Sequence, residues 1–261
     1  RRGTSMSAPA LKGNELSQEE ELWLGAVLAA CKAHNVTPKS KYEAACYAIV
    51  CKGNAESAVK RIAKVQKFEA DEGLETCSND EALEFLHDTL PGAFIPAGRS
   101  LDGLVTFGMA ASDFDLKKLS GDKAYALMFK ATLLMYDGLT PNIEECRKGC
   151  VFAMEAKGFG WHNFSMELEK KSAILYQDGY PIKIKAMILI DPPMIISAII
   201  QVCKVFLKKK IRDRMKNIKS KALPEHFDMS ELPKELGGTF ATPFRAWLQE
   251  GLAKREASIK E

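Results

Sequence analysis

Four histidines, His34, His87, His162 and His226, and seven cysteines are the residues of this chain most suited to metal or covalent chemistry. A zinc site needs thiolates and imidazoles in closely spaced pairs. Cys46 with Cys51 and Cys146 with Cys150 lack the CxxC spacing, and no histidine is near enough to complete either pair. Nucleophilic hydrolysis would call for a Ser-His-Asp order or a GxSxG turn, and neither is present. The stretch GFGWHNFS (158–165) carries Gly158-x-Gly160 but lacks the third glycine and the Lys-Ser/Thr of a phosphate loop. Catalysis, a metal and a cofactor are therefore not expected. An odd number of scattered thiols fits reduced cysteines in a cytoplasmic protein.

Charge is the stronger signal. Residues 208–221 hold eight basic side chains and one acid, Asp213. That is +7 within a chain of formal net charge +3, so the remainder carries −4. A solvated face and an anionic partner both account for such a run, and asymmetry of this size favours the partner. The run has no interleaved aromatics for base stacking, so nucleic acid is not the expected partner.

Directly before it, residues 194–207 (MIISAIIQVCKVFL) are almost wholly apolar. As a helix this stretch would be about 21 Å long at ~1.5 Å per residue. A bilayer core needs roughly 30 Å, and Gln201 and Lys204 interrupt the stretch, so it does not span. A buried core helix is one reading. A helix that covers a cavity and can touch a membrane is the other. Ile195, Ile199, Val202 and Phe206 form one stripe, and Ile196, Ile200, Cys203 and Leu207 form a second beside it. Apolarity that wide must be covered on much of its surface. Asp191-Pro192-Pro193 punctuates its start and is compatible with a hinge.

Other elements must position these segments. Ser17 with Glu20 is a capping-box pattern, and Leu22, Trp23, Ala26, Val27 and Ala30 continue at helical spacing until Asn35-Val36-Thr37-Pro38. Further helices are predicted at 41–51 and 55–71, with no strand before about residue 100. From there the pattern alternates: strand 104–109, helix 122–136, strand 150–155, helix 166–176, strand 182–190, the apolar helix, and a short strand at 215–218. Strands separated by helices imply a mainly parallel sheet. Cys150, Phe152 and Met154 share one strand face, as do Ile182 and Ile184; Met187 and Leu189 follow after a change of phase around Lys185-Ala186.

The segment YPIKIKAMILIDPPMIISAIIQVCKVFLKKKIRDRM (180–215), followed by LPEHFDMSELPKELGGT (223–239), closely resembles the CRAL-TRIO (Sec14-like) lipid-binding family. The carriers of that resemblance are Tyr180-Pro181, the strand after it, the long apolar helix ending in Phe206-Leu207, the Lys210-Ile211 pair and the closing LPKELGG (232–238). Within the family the chain looks most like the branch of tocopherol transfer, cellular retinaldehyde-binding and clavesin proteins. The resemblance implies an α/β fold: a small all-helical N-terminal domain at 15–75, then an α/β lipid-binding domain at 76–250 with a mainly parallel sheet, a hydrophobic cavity and a mobile lid helix at 194–207. Residues 1–14 are expected to be a cloning remnant and a flexible N-terminus, and 251–261 a C-terminal tail.

By the same resemblance, Cys150, Phe152, Met154, Leu175, Tyr180, Ile182, Ile184, Met187 and Leu189, with Met194, Ile196, Ile199, Ile200, Val202 and Cys203 of the lid, match cavity-wall positions; plain core packing is the alternative for each. The implied role is an intracellular carrier of one small hydrophobic ligand, a retinoid, a tocopherol-like isoprenoid or a phospholipid. It would exchange that ligand at anionic, phosphoinositide-containing membranes, cytoplasmic and only transiently peripheral. A non-transporting phosphoinositide-binding scaffold with an empty or vestigial cavity is the alternative. Lys185, Lys210 and Arg214 match basic positions of the branch's phosphoinositide cleft. The branch's Phe-Leu-Arg-Ala-Arg motif falls on Tyr47-Ala48-Ile49-Val50-Cys51, so both arginines are missing, and Lys52 is the nearest cation. Tyr176 and Tyr180 are candidate hydrogen-bond partners for a polar head.

Overall fold

A computed structural model describes residues 15–121, 123–240 and 243–260; the expectation for residues 1–14 lies outside them. Helix α1 (Gln18–Ala33) starts at the capping box, in which the Ser17 hydroxyl accepts from the Glu20 N–H and the Glu20 carboxylate accepts from the Ser17 N–H. Ser40 and Asn54 cap α2 (Lys41–Val50) and α3 (Ala55–Asp71) in the same way from one side. These helices bury Leu24, Val27, Tyr47, Ala48, Val59 and Ile62 in a common apolar cluster. Ile143 and Cys146 of α6 (Ile143–Lys148) join that cluster, and Arg147 of α6 pairs with Glu20 at 2.6 Å. The helical N-terminal layer is thus fastened to the rest by both packing and charge. Helix α4 (Asn79–Thr89), with its own Ser78–Glu81 capping box, lies in a stretch to which the sequence pattern assigns nothing, as does α6.

The sheet has the order β1-β2-β3-β4-β5. Strands β2 (Val105–Ala110), β3 (Cys150–Glu155), β4 (Ile184–Ile190) and β5 (Met215–Ile218) run parallel; β1 (Ile95–Arg99) is antiparallel to β2 at the edge. A strand before residue 100 is a departure from expectation. Its sequence, IPAGR, contains the proline and glycine that strands disfavour, and only an edge position tolerates them. The phase change in β4 is a register shift: Cys150 faces Ile184, but Val151 faces Ala186. Crossovers α5 (Ala124–Leu139), α7 (Met166–Ala173) and α8 (Met194–Cys203) connect the strands. Helix α7 runs on into a π-helical turn, Ile174–Gly179. Helix α8 is shorter than the expected 194–207, and its last residues form a turn before α9 (Lys209–Arg212).

A parallel sheet needs cover on both faces. On one face Val151, Ala153, Ile188 and Ile190 pack against Leu223, Phe227, Leu232 and Leu236 of the 220–236 segment. The approach there is close: a Cβ on Gly108 would stand 2.4 Å from Leu236 Cδ1. On the opposite face lie the crossover helices.

The expected tail at 251–261 is a correction. Residues 251–260 continue α10 (Phe244–Lys260), which packs along α5. Arg255, only 7% exposed, ion-pairs with Asp137 at 2.7 Å and donates to the Thr140 carbonyl and hydroxyl at 3.1 and 2.9 Å. Its guanidinium lies over the Tyr42 ring at 4.8 Å, and Tyr42 in turn donates to the Thr140 carbonyl. One buried cation therefore ties α10, α5 and α2 together. Removing one member of such a pair leaves the other unpaired, at a cost of about 3–5 kcal/mol. Arg255→Ala is expected to lower the melting temperature by about 10 °C, read by thermal unfolding followed by circular dichroism.

Candidate functional site: a roofed apolar cavity beside a basic cleft

Strand register builds the floor. Phe107, Phe152, Met187 and Met215 align across β2, β3, β4 and β5, and Met109, Met154 and Leu189 form a second row. The rings of Phe107 and Phe152 are 5.1 Å apart. Both rows line a cavity of about 220 Å³. Its walls are Met128, Thr132 and Tyr136 of α5 and Leu168, Glu169, Ser172 and Tyr176 of α7 and the π turn. Its roof is the inner side of α8, through Ile196, Ile199, Ile200 and Cys203, continued by Leu207 and Ile211. Methionines make such a wall adaptable. Burial, helped by Glu169, pushes the Cys203 thiol up to about 11, so it stays a neutral lining group.

Of the expected wall residues, the structure brings together Phe152, Met154, Ile184, Met187, Leu189, Ile196, Ile199, Ile200 and Cys203 around this cavity. Six others lie elsewhere. Cys150, Leu175, Tyr180 and Ile182 are buried in the main core. Burial raises the Cys150 thiol to about 12. The Tyr180 hydroxyl donates to Asp137 within the Arg255 network rather than to a cavity. Met194 and Val202 point outward, 93% and 40% exposed, because α8 is apolar on more than the side it buries. Val205, in the turn that follows, is 83% exposed. Of the two candidate tyrosines, Tyr176 reaches the cavity and Tyr180 does not. The sequence reading missed Tyr136 and Glu169.

The covering helix has distinctive ends. Asp191 takes a left-handed backbone, φ 47°, and Pro193 starts α8 without a side-chain cap. At the other end Gln177 of the π turn clamps the chain: its amide donates to the Phe206 carbonyl and its oxygen accepts from the Lys208 N–H at 2.6 Å. Arg212 donates to the carbonyls of Lys204 and Leu207.

Next to this clamp lies the basic cleft. Lys210 is held below the usual lysine range first by desolvation, then by Arg214, Arg61, Lys52 and Lys185. Lys183 is lowered by its own burial, with Lys185 and Lys52 adding to it. Lys185, Lys210 and Arg214 are thus brought to one place. Two cations from the N-terminal helices join them: Lys52 from the turn after α2 and Arg61 from α3. Arg61 also donates to the Gln177 carbonyl at 2.9 Å, so the cleft and the clamp on the covering helix share a residue. Sequence offered no signal for Arg61, because only the docking of α3 on the π turn brings it here. A cluster of mutually repelling cations, three of them exposed, forms a candidate anion site.

Among the described residues no His/Cys/Asp/Glu group could hold a metal, and no helix is long and apolar enough to cross a membrane. Residues 91–238, more than half of the chain, match the family model described as CRAL/TRIO domain. The chain is 32% identical over 138 residues to alpha-tocopherol transfer protein-like proteins of mouse and human, a match covering 51% of this chain and 40% of theirs. It is 25% identical over 124 residues to mouse tyrosine-protein phosphatase non-receptor type 9, covering 48% of this chain and 21% of that protein. The chain therefore spans well under half the length of the relatives it matches. Its fold, its apolar cavity and these matches agree, and the chain belongs to the CRAL/TRIO family of lipid-binding proteins.

Proposed function

We propose that the chain is a carrier that holds one small hydrophobic lipid between the sheet and α8 and exchanges it at anionic membranes. The observation that carries this reading is a roof apolar on both sides: Ile196, Ile199 and Cys203 close the cavity, while Met194 and Val202 of α8 and Val205 of the turn after it face out. An outer apolar edge of this kind on a helix with an uncapped start suits a lid that swings into a headgroup layer. A cavity of about 220 Å³ lies below the ~300–1,000 Å³ of drug-sized pockets. Any lipid must therefore spread the methionine-lined wall, least for a single-chain isoprenoid such as a retinoid or a tocopherol-like molecule and most for a two-chain phospholipid, and the likeness to tocopherol transfer protein-like relatives points the same way.

Lys52, Arg61, Lys185, Lys210 and Arg214 form the docking cleft for phosphoinositide headgroups. Lys52 and Arg61 stand in for the two arginines missing from Tyr47-Ala48-Ile49-Val50-Cys51. An anionic headgroup drawing on Arg61 would loosen its hold on Gln177, and with it the clamp on Phe206 and Lys208. Docking and lid opening are coupled in this reading.

Two experiments test it. Each basic residue at an anionic surface contributes about 1 kcal/mol, so Lys210→Glu with Arg214→Glu is expected to weaken binding to phosphoinositide vesicles by about 30-fold or more, measured by flotation at physiological salt. Met194→Glu with Val205→Glu alters only exposed positions, so stability should change by less than about 0.5 kcal/mol. The rate of fluorescent isoprenoid transfer between vesicles should nevertheless fall, and transfer at the wild-type rate would count against the lid.

A further inference from the structure

Most of the cavity wall is apolar. Of its polar residues, Thr132 already donates to the Met128 carbonyl, and the Asn163 amide is engaged with the Gly160 N–H and the Ala111 and Phe114 carbonyls. Glu169, Ser172 and Tyr176 recur at i, i+3 and i+7 along α7 and the π turn and all line the wall. Tyr136 of α5 lines it beside them, near enough that Glu169 pushes both phenols further above their usual range. Among the described residues the Glu169 carboxyl makes no hydrogen bond and faces no cation. Burial alone moves it, up to about 7. The groups facing it are the phenols of Tyr136 and Tyr176 from α5 and the π turn, and the neutral Cys203 thiol from α8. Lys171 on its own helix is turned away, engaged with Glu72 and Glu167.

An unpartnered carboxyl in an apolar cavity is a defect for the empty fold. Buried polar groups are ordinarily satisfied, and a leucine would pack there better. The sign of its pH effect follows from the raised pKa. Below about pH 4.5 the group is protonated folded or unfolded and costs nothing extra; as pH rises towards about 7, stability is progressively lost. A residue that weakens the fold at neutral pH and points into the binding cavity belongs to the ligand.

We propose that Glu169 selects the cargo: its carboxyl, with the hydroxyls of Tyr136 and Tyr176, holds the single uncharged polar head of the lipid, a hydroxyl or carbonyl, and rejects lipids that end in a carboxylate. This rests on the carrier reading and names the class of cargo for that same cavity. A neutral carboxyl both donates and accepts, and so do the phenols, which matches an alcohol; an aldehyde can use the donors alone. A carboxylate head would be an unpaired anion in an apolar cavity whose wall carries no cation to offset it.

The test uses the full chain and two probes of one skeleton, geranylgeraniol and geranylgeranoic acid, taken up at equilibrium from neutral phosphatidylcholine vesicles. The wild-type protein is expected to prefer the alcohol by about tenfold or more. Glu169→Leu should bring that ratio towards one, whereas Glu169→Gln, which keeps a donor and an acceptor, should still bind the alcohol. Wild-type affinity for the alcohol should fall between about pH 6 and about pH 8, and that of Glu169→Gln should not. Melting gives an independent readout: Glu169→Gln should melt above the wild type at about pH 7.5 and level with it near about pH 4.5. A selectivity ratio unchanged in a folded Glu169→Leu protein overturns the proposal. So does a preference for geranylgeranylamine that Glu169→Gln abolishes, because Glu169 would then be a counter-ion. Wild-type protein that takes up neither probe overturns the carrier reading, and this one with it.

Discussion

Everything in this molecule follows from the need to cover one face of a parallel sheet. Phe107, Phe152, Met187 and Met215 form a row of large side chains across four strands, with Met109, Met154 and Leu189 alongside. A face this apolar cannot stay in water at ~25 cal/mol per Å². Helices α5 and α7 cover part of it, and α8 covers the rest as a roof packed through Ile196, Ile199 and Cys203 and clamped by Gln177 just past its C-terminal end. On the other face the 220–236 segment packs so closely that a side chain at position 108 would have to displace Leu236. One side is filled by the chain, and the other is left for a ligand.

The polar residues divide along the same line. Arg255, Asp137, Thr140, Tyr42 and Tyr180 satisfy one another and hold α10, α5 and α2 together behind the cavity wall. Glu169, Tyr136 and Tyr176 face the cavity without protein partners of that kind. The first group gives rigidity to the wall that carries the second. Tyr136 and Tyr180 lie side by side, ring centroids 5.4 Å apart, so the two networks meet at one aromatic pair.

Much of the fold was legible in sequence. β4 is apolar at every position but Lys185, α8 is too short to span a bilayer and too apolar to be solvated, and the phase change at Lys185-Ala186 is the register shift that lets β4 pair with β3. β1 was not, because Pro96 and Gly98 remove the strand pattern from an edge where they do little harm. The cavity wall was legible only in part. Alternation gives Cys150 and Ile182 the same face as Phe152 and Ile184 but cannot say where along a strand packing ends and space begins. Met194 and Val202 could not be told from Ile196 and Ile199, because a helix apolar almost all round has no marked inner side. Glu169 and Ser172 resemble an ordinary solvated helix face until α5 and α8 close over them. Arg61 acquires its place only through the docking of the N-terminal helices.

The most direct test of the central claim is organic extraction of the protein purified from its native tissue, with the extract examined by mass spectrometry and absorption spectroscopy. The account predicts one isoprenoid per chain, bearing an uncharged polar group. A protein that is reproducibly empty, and that stays empty after incubation with isoprenoid-loaded vesicles, would contradict it and leave the basic cleft as the working part of a scaffold.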